Sequence, residues 1–287
     1  MSASTYLYGA QVQANGIRQH YLRFGGAGQG RGERDAVLII PGITSPAVTW
    51  AFVGEVFGRN FDTYVLDVRG RGLSEAGAHL DYGLDAQAAD VLAFSQALGL
   101  ARFALVGHSM GARIALRAAA QRPAGLTRVV AVDPPVSGPG RRAYPAQLSW
   151  YVDSMRLARQ GITLEQMRSF CPSWTTAQLR LRAQWLHTCD ERAVVASFND
   201  FQSDDIHADL PRLAVPLLLM TAERGDVVRP EEAQEICALA PQARSVRVAG
   251  AGHMIAWDNE AGFYQAFGRF LGAGLSMDCK GDADGHQ

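Results

Sequence analysis

Residues 103–111 read FALVGHSMG, an apolar run ending in a serine set between two glycines, and residues 112–120, ARIALRAAA, follow without a gap. The run has the character of a buried strand and the Ala-rich segment that of a strong helix former. Between them the chain must bend sharply, and such a bend presents the hydroxyl of Ser109 beyond the end of the strand. Flanking backbone passes close to a residue held this way, so its neighbours must lack Cβ atoms, the part read for Gly107 and Gly111. Ser109 is the candidate nucleophile, and a helix is predicted over 110–121.

Outward from this bend the same alternation repeats. AVLII (36–40), TYVLDV (63–68), RVVAVD (128–133), PLLLM (216–220) and SVRVAG (245–250) are continuous apolar runs, the pattern of strands buried on both faces. Helical stretches at 47–58, 84–98, 231–239 and 259–272 separate most of them, which predicts βα units and a mostly parallel sheet. Residues 5–13 and 17–24 add a β-hairpin turning at Asn15-Gly16, giving eight strands in all. Residues 25–35, GGAGQGRGERD, form a polar loop, and without a lysine they make no phosphate cradle. The rhythm breaks at 137–210, which holds Trp150, Trp174 and Trp185, helical periodicity and no convincing strand. The expected architecture is α/β: an eight-stranded, mostly parallel sheet flanked by helices over 1–136 and 211–274, a helical cap over 137–210, and a frayed polar tail over 275–287.

Composition narrows the function classes. The 287 residues are 48% hydrophobic and 19% charged with a net charge of −1, which excludes a disordered scaffold and offers no basic patch for nucleic acid. Of 27 basic residues only Lys280 is lysine. Cys171, Cys189, Cys237 and Cys279 are scattered, with neither C-x-x-C spacing nor nearby histidines, so no metal site or disulfide framework is indicated. No stretch reaches the roughly 18 apolar residues of a membrane span, and the first residues lack the pattern of a secretory leader. The expectation is a cytoplasmic enzyme with a small-molecule substrate, no membrane association and no nucleic-acid partner.

A serine hydroxyl needs a base within hydrogen-bond reach. Of seven histidines, His253 alone sits in a loop after the last predicted strand and before the last predicted helix, where this chain order places the base. The acid that orients it has two candidates at strand ends: Asp133, closing RVVAVD, and Asp226, in the loop after PLLLM. Glu223 and Arg224 crowd the second, so Asp133 is preferred and Asp226 stays as the alternative. Oxyanion donors are expected from the backbone N–H groups of Met110 and of Ile43, in the turn Pro41-Gly42-Ile43-Thr44. Thr44, Arg141 and Arg142 are candidate substrate-binding residues, the arginines for a carboxylate. The G-x-G of Gly70-Arg71-Gly72 lacks the third glycine and the position of a dinucleotide site, and reads as a tight turn.

Taken in order, Pro41-Gly42, Asp67-x-Arg69-Gly70-x-Gly72-x-Ser74, the Gly107 to Gly111 bend and Gly252-His253 resemble the signature of the α/β-hydrolase superfamily across about residues 8 to 272. Pro41 stands where that superfamily commonly has histidine. The stretches VDPPVSGPGRRAYP and WLHTC, at the insertion, resemble the branch that cleaves the C–N bond of N-formylmaleamate. This resemblance implies a cofactor-free serine hydrolase releasing maleamate and formate, with Ser109, His253 and Asp133 at the triad positions. The alternatives on the same scaffold are a C–C bond hydrolase, a small-ester esterase, or a non-catalytic binding relative.

Overall fold

In a computed structural model, which describes residues 3–25 and 35–276, eight strands form one sheet in the order β1-β2-β4-β3-β5-β6-β7-β8. Strands β1 (Tyr6–Ala14) and β2 (Ile17–Phe24) form the hairpin, turning at Asn15 and Gly16, both with positive φ. β2 runs antiparallel to β4 (Asp62–Leu66); from there β3 (Ala36–Ile40), β5 (Phe103–His108), β6 (Leu126–Val132), β7 (Leu217–Ala222) and β8 (Ala243–Val248) are parallel.

The continuous apolar runs are explained by two cores. Because strand side chains alternate, Leu38, Leu105, Val129 and Leu219 feed the core on one face, while Val37, Val106, Val130 and Met220 feed the core on the other. Helices α2 (Leu84–Ala97) and α3 (Met110–Ala120) cover the first face. α1 (Ala51–Phe57), α9 (Ile255–Asp258) and α10 (Glu260–Phe267) cover the second. Between β6 and β7 lie α4 (Leu148–Arg159), α5 (Leu164–Phe170), α6 (Thr176–Trp185) and α7 (Glu191–Ser203), all within the segment expected to be a helical insertion. α8 (Pro230–Leu239) joins β7 to β8.

Three local expectations need correction. SVRVAG does not form a strand buried on both faces: β8 is the sheet edge, with Arg244 and Arg247 exposed and Val248 its one buried residue. The short α9 lies outside the expected helices, and the helix expected over 259–272 is shorter, α10 alone, started where the Asn259 side chain caps the Gly262 N–H. It stops at Gly268, whose φ of 51° an L side chain seldom adopts. At the expected tail, Leu275 still packs in the second core; residues 277–287, like 26–34 of the Gly-rich loop, lie outside the described residues.

Candidate active site

The carboxyl ends of β5 and β6 and the loop after β8 meet at one point, the usual place for a site in an open parallel sheet. Ser109 follows β5 with φ 56° and ψ −119°, and its N–H donates to Val132 O at 2.8 Å. Asp133 follows β6, also at positive φ (46°), and donates its N–H to Met220 O at 2.8 Å, extending the ladder one residue beyond the strand. Two non-glycine residues held at positive φ, each costing about 1–3 kcal/mol, mark strain concentrated where two side chains must be aimed.

Their target is His253. Its Nε2 lies 3.0 Å from Ser109 Oγ and its Nδ1 2.7 Å from Asp133 Oδ2. The other carboxylate oxygen of Asp133 accepts the Ala222 N–H at 3.3 Å, and the residue has no exposed surface. Asp226 stands in the cavity wall but does not contact His253: it is exposed and paired with Arg229 at 2.7 Å. The structure therefore brings together the preferred acid, not the alternative.

The loop carrying His253 is held from both sides. Gly252 N–H donates to Asp258 Oδ2 at 2.9 Å, and His108 Nε2–H donates to the His253 carbonyl at 2.9 Å. A carbonyl only accepts, so His108 carries its proton on Nε2 and leaves Nδ1 a buried lone pair without a partner. Burial first, and the neighbouring His253 second, push the His108 pKa from 6.5 down to about 3. Between those two values the unfolded chain binds a proton that the native chain refuses, so the stability attached to this group is intact above pH 6.5 and lost as pH falls. Denaturant titrations from pH 7 to pH 4.5 should show wild type losing up to about 1.4 kcal/mol per pH unit more than His108→Gln. Parallel slopes would remove this role.

The two candidate oxyanion donors are the Ile43 and Met110 N–H groups. Among the described residues neither the Ile43 nor the Met110 N–H donates to a protein acceptor, so both stay free for a ligand. Arg71, the residue inside the rejected G-x-G, ties this region together: Nε donates to Ile43 O at 3.1 Å, and Nη2 reaches Ser197 Oγ at 2.9 Å, Ala193 O at 3.0 Å and Met110 Sδ at 3.4 Å. One buried guanidinium thus fixes the turn at Ile43, the start of α3 and α7 against one another. Burial lowers its pKa to about 10, still charged at neutral pH.

Above these groups opens a cavity of about 570 Å³ lined by Ser109, His253, Ile43, Thr44 and side chains from the insertion. Tyr144 faces Ser109, with its hydroxyl 3.2 Å from that of Tyr151; burial raises the pKa of both phenols and keeps them protonated. Thr44 stands in the cavity wall. Arg141 and Arg142 do not line it, which corrects the sequence expectation. Arg141 is taken up by Glu235 at 2.9 Å and Arg142 by Glu232 at 2.9 Å, both carboxylates on α8. The cavity's arginines are Arg182 and Arg224. The sequence reading missed Arg182, Tyr144 and Tyr151; the aromatic density of the insertion was the available signal. Among the described residues no group of three or more His, Cys, Asp or Glu side chains could hold a metal ion, and no helix is long and apolar enough to cross a membrane.

The sequence profile described as alpha/beta hydrolase fold matches residues 35–260, and the chain belongs to that family. It is a hydrolase. It is 58% identical, over 93% of its own length and 98% of the relative's, to N-formylmaleamate deformylase of Pseudomonas putida. A crystal structure of N-formylmaleamic acid deformylase from Pseudomonas putida S16 superposes with a TM-score of 0.85 at 52% identity, covering 90% of this chain and 99% of that one. E-2-(acetamidomethylene)succinate hydrolase, at 20% identity and a TM-score of 0.74 over 93% and 100% of the two chains, shares the fold.

Proposed function

We propose that this chain hydrolyses N-formylmaleamate to maleamate and formate, with Ser109 as nucleophile, His253 as general base and acid, and Asp133 as its orienting carboxylate. The observation that carries the reading is the continuous contact from Ser109 Oγ through His253 to buried Asp133, at the floor of a cavity with two free N–H donors. The substrate follows from 58% identity to a deformylase of that name.

In this mechanism Ser109 Oγ attacks the formyl carbon while His253 Nε2 takes its proton. The Ile43 and Met110 N–H groups hold the oxyanion, each donor contributing about 3–4 kcal/mol in the transition state. As the tetrahedral species collapses, the C–N bond breaks and His253 returns the proton to the departing nitrogen, releasing maleamate as a neutral-headed amide rather than an amide anion. Water, deprotonated by the same imidazole, then attacks the formyl-enzyme and frees formate and Ser109. The formyl carbon carries only hydrogen, so it is the less crowded of the two acyl carbons on that nitrogen.

The insertion at 137–210 serves as a cap in this reading, since Tyr144, Tyr151 and Arg182 close the cavity over Ser109. The cytoplasm is the proposed compartment, in keeping with the free thiols of Cys171, Cys189 and Cys237. The test compares kcat/KM for N-formylmaleamate with that for a small aryl ester, with formate and maleamate quantified. A preference for the formyl amide of at least 100-fold is expected. Faster turnover of the ester would replace the deformylase reading with an esterase one, and failure of an organophosphate to label Ser109 would remove the nucleophile.

A further inference from the structure

Among the described residues four arginines are buried, Arg69, Arg71, Arg113 and Arg182, and their surroundings differ in one respect. Arg69 meets a carboxylate, Asp90. Arg71 has the acceptors already described. Arg113 donates to the carbonyls of Pro135, Ser137, Asp200 and Asp204. Arg182, only 6% exposed, has neither kind of environment. It reaches just the Thr44 carbonyl at 3.5 Å and the Thr44 hydroxyl at 3.3 Å, its Nε has no acceptor at all, and no carboxylate among the described residues pairs with it.

An arginine cannot shed its proton to escape burial, so an uncompensated guanidinium is costly and calls for an anion. The remainder of its setting fits one. Its charged centre lies 5.2 Å from the Trp150 ring and 5.9 Å from the Trp174 ring, two faces that hold the planar fork in place and exclude water. It lines the same cavity as Ser109, and its contacts are to Thr44, next to the oxyanion donor Ile43. Arg224, the cavity's other arginine, is exposed and lies near Asp258.

We propose that Arg182 is the receptor for a carboxylate on the substrate, accepting it side-on between Trp150 and Trp174 while the acyl group at the other end meets Ser109. The proposal rests on the reading of this cavity as the acyl-transfer site, and adds the rule that the site selects short anionic acyl amides over neutral ones. A planar guanidinium offers two parallel N–H bonds to a carboxylate and none of equal strength to a carboxamide.

The experiment compares N-formylmaleamate with its analogue in which the carboxylate is a carboxamide. Wild type should favour the carboxylate by about 100-fold in kcat/KM, mainly through KM. Arg182→Gln should collapse that preference to within about threefold, Arg182→Lys should restore part of it, and Arg141→Ala and Arg142→Ala should leave it intact. A folded Arg182→Gln that keeps the preference overturns the proposal. Should that variant fail to fold, inhibition of wild type by maleate against maleamide decides: a Ki ratio near one overturns it, and a ratio near 100 supports it. Absence of N-formylmaleamate turnover together with Arg182-dependent maleate binding by calorimetry would instead sink the deformylase reading and leave the anion receptor standing.

Discussion

Asp133→Asn will lower kcat by about 10⁴-fold while Asp226→Asn stays within about threefold of wild type. The size of the first effect comes from a detail of the acid's surroundings. Asp133 Oδ1 accepts the Ala222 N–H and Oδ2 accepts His253 Nδ1–H, so both of its oxygens face donors. An asparagine has one acceptor and one donor end. Turned with its oxygen to Ala222, it aims an NH₂ at His253 Nδ1, which must then be the acceptor, and the ring proton moves to Nε2. An Nε2–H cannot take the proton of Ser109. Turned the other way, it sets its NH₂ against the Ala222 N–H, leaving two donors facing in a site with no exposed surface. Asp226, paired with Arg229 and Arg142 on the surface, imposes no such choice. Steady-state kinetics on both variants, with circular dichroism to check folding, reads the outcome directly; the opposite ranking would reassign the acid.

The sequence pattern alone could not settle this choice of acid. Both aspartates sit just past apolar runs, and chain order is compatible with either. The folded geometry separates them: Asp133 Oδ2 lies 2.7 Å from His253 Nδ1, whereas Asp226 is exposed and pairs with Arg229. By contrast β3, β5 and their neighbours were legible because burial on two faces writes an unbroken apolar run, and Ser109 and His253 because a strained bend and a post-strand loop leave local marks. Long-range neighbours leave none. Arg141 and Arg142 read as free cations until Glu232 and Glu235, about 90 residues later, are folded against them. Arg182 reads as one of two arginines on α6 until Trp150 of α4 and Trp174 close around it. At β8 a local signal does exist: Arg247 within SVRVAG and Arg244 at its flank are what an edge strand carries to discourage pairing.

Gly111→Ala, and independently Gly107→Ala, will destabilise the protein by about 3 kcal/mol or more, a fall in Tm of roughly 6–12 °C. A Cβ on Gly111 would sit 2.0 Å from Ile40 O and 2.6 Å from Pro41 O; one on Gly107 would sit 2.1 Å from Gly111 O. These are backbone atoms with no rotamer to retreat into, so α3 itself must move away from the end of β3. That movement has a catalytic consequence, since α3 begins at Met110 and Pro41 leads into the turn of Ile43, the two proposed oxyanion donors. Activity should therefore fall further than the unfolded fraction accounts for when both are measured well below the melting temperature. Gly25→Ala is the control: its Cβ would meet Leu7 Cδ1 at 3.5 Å and Phe61 O at 4.0 Å, both ordinary contacts. Thermal melts of the three variants separate the cases. If Gly111→Ala melts within about 2 °C of wild type, or loses stability with no extra loss of kcat, then the glycines of the bend are not what seats α3 against the turn at Ile43.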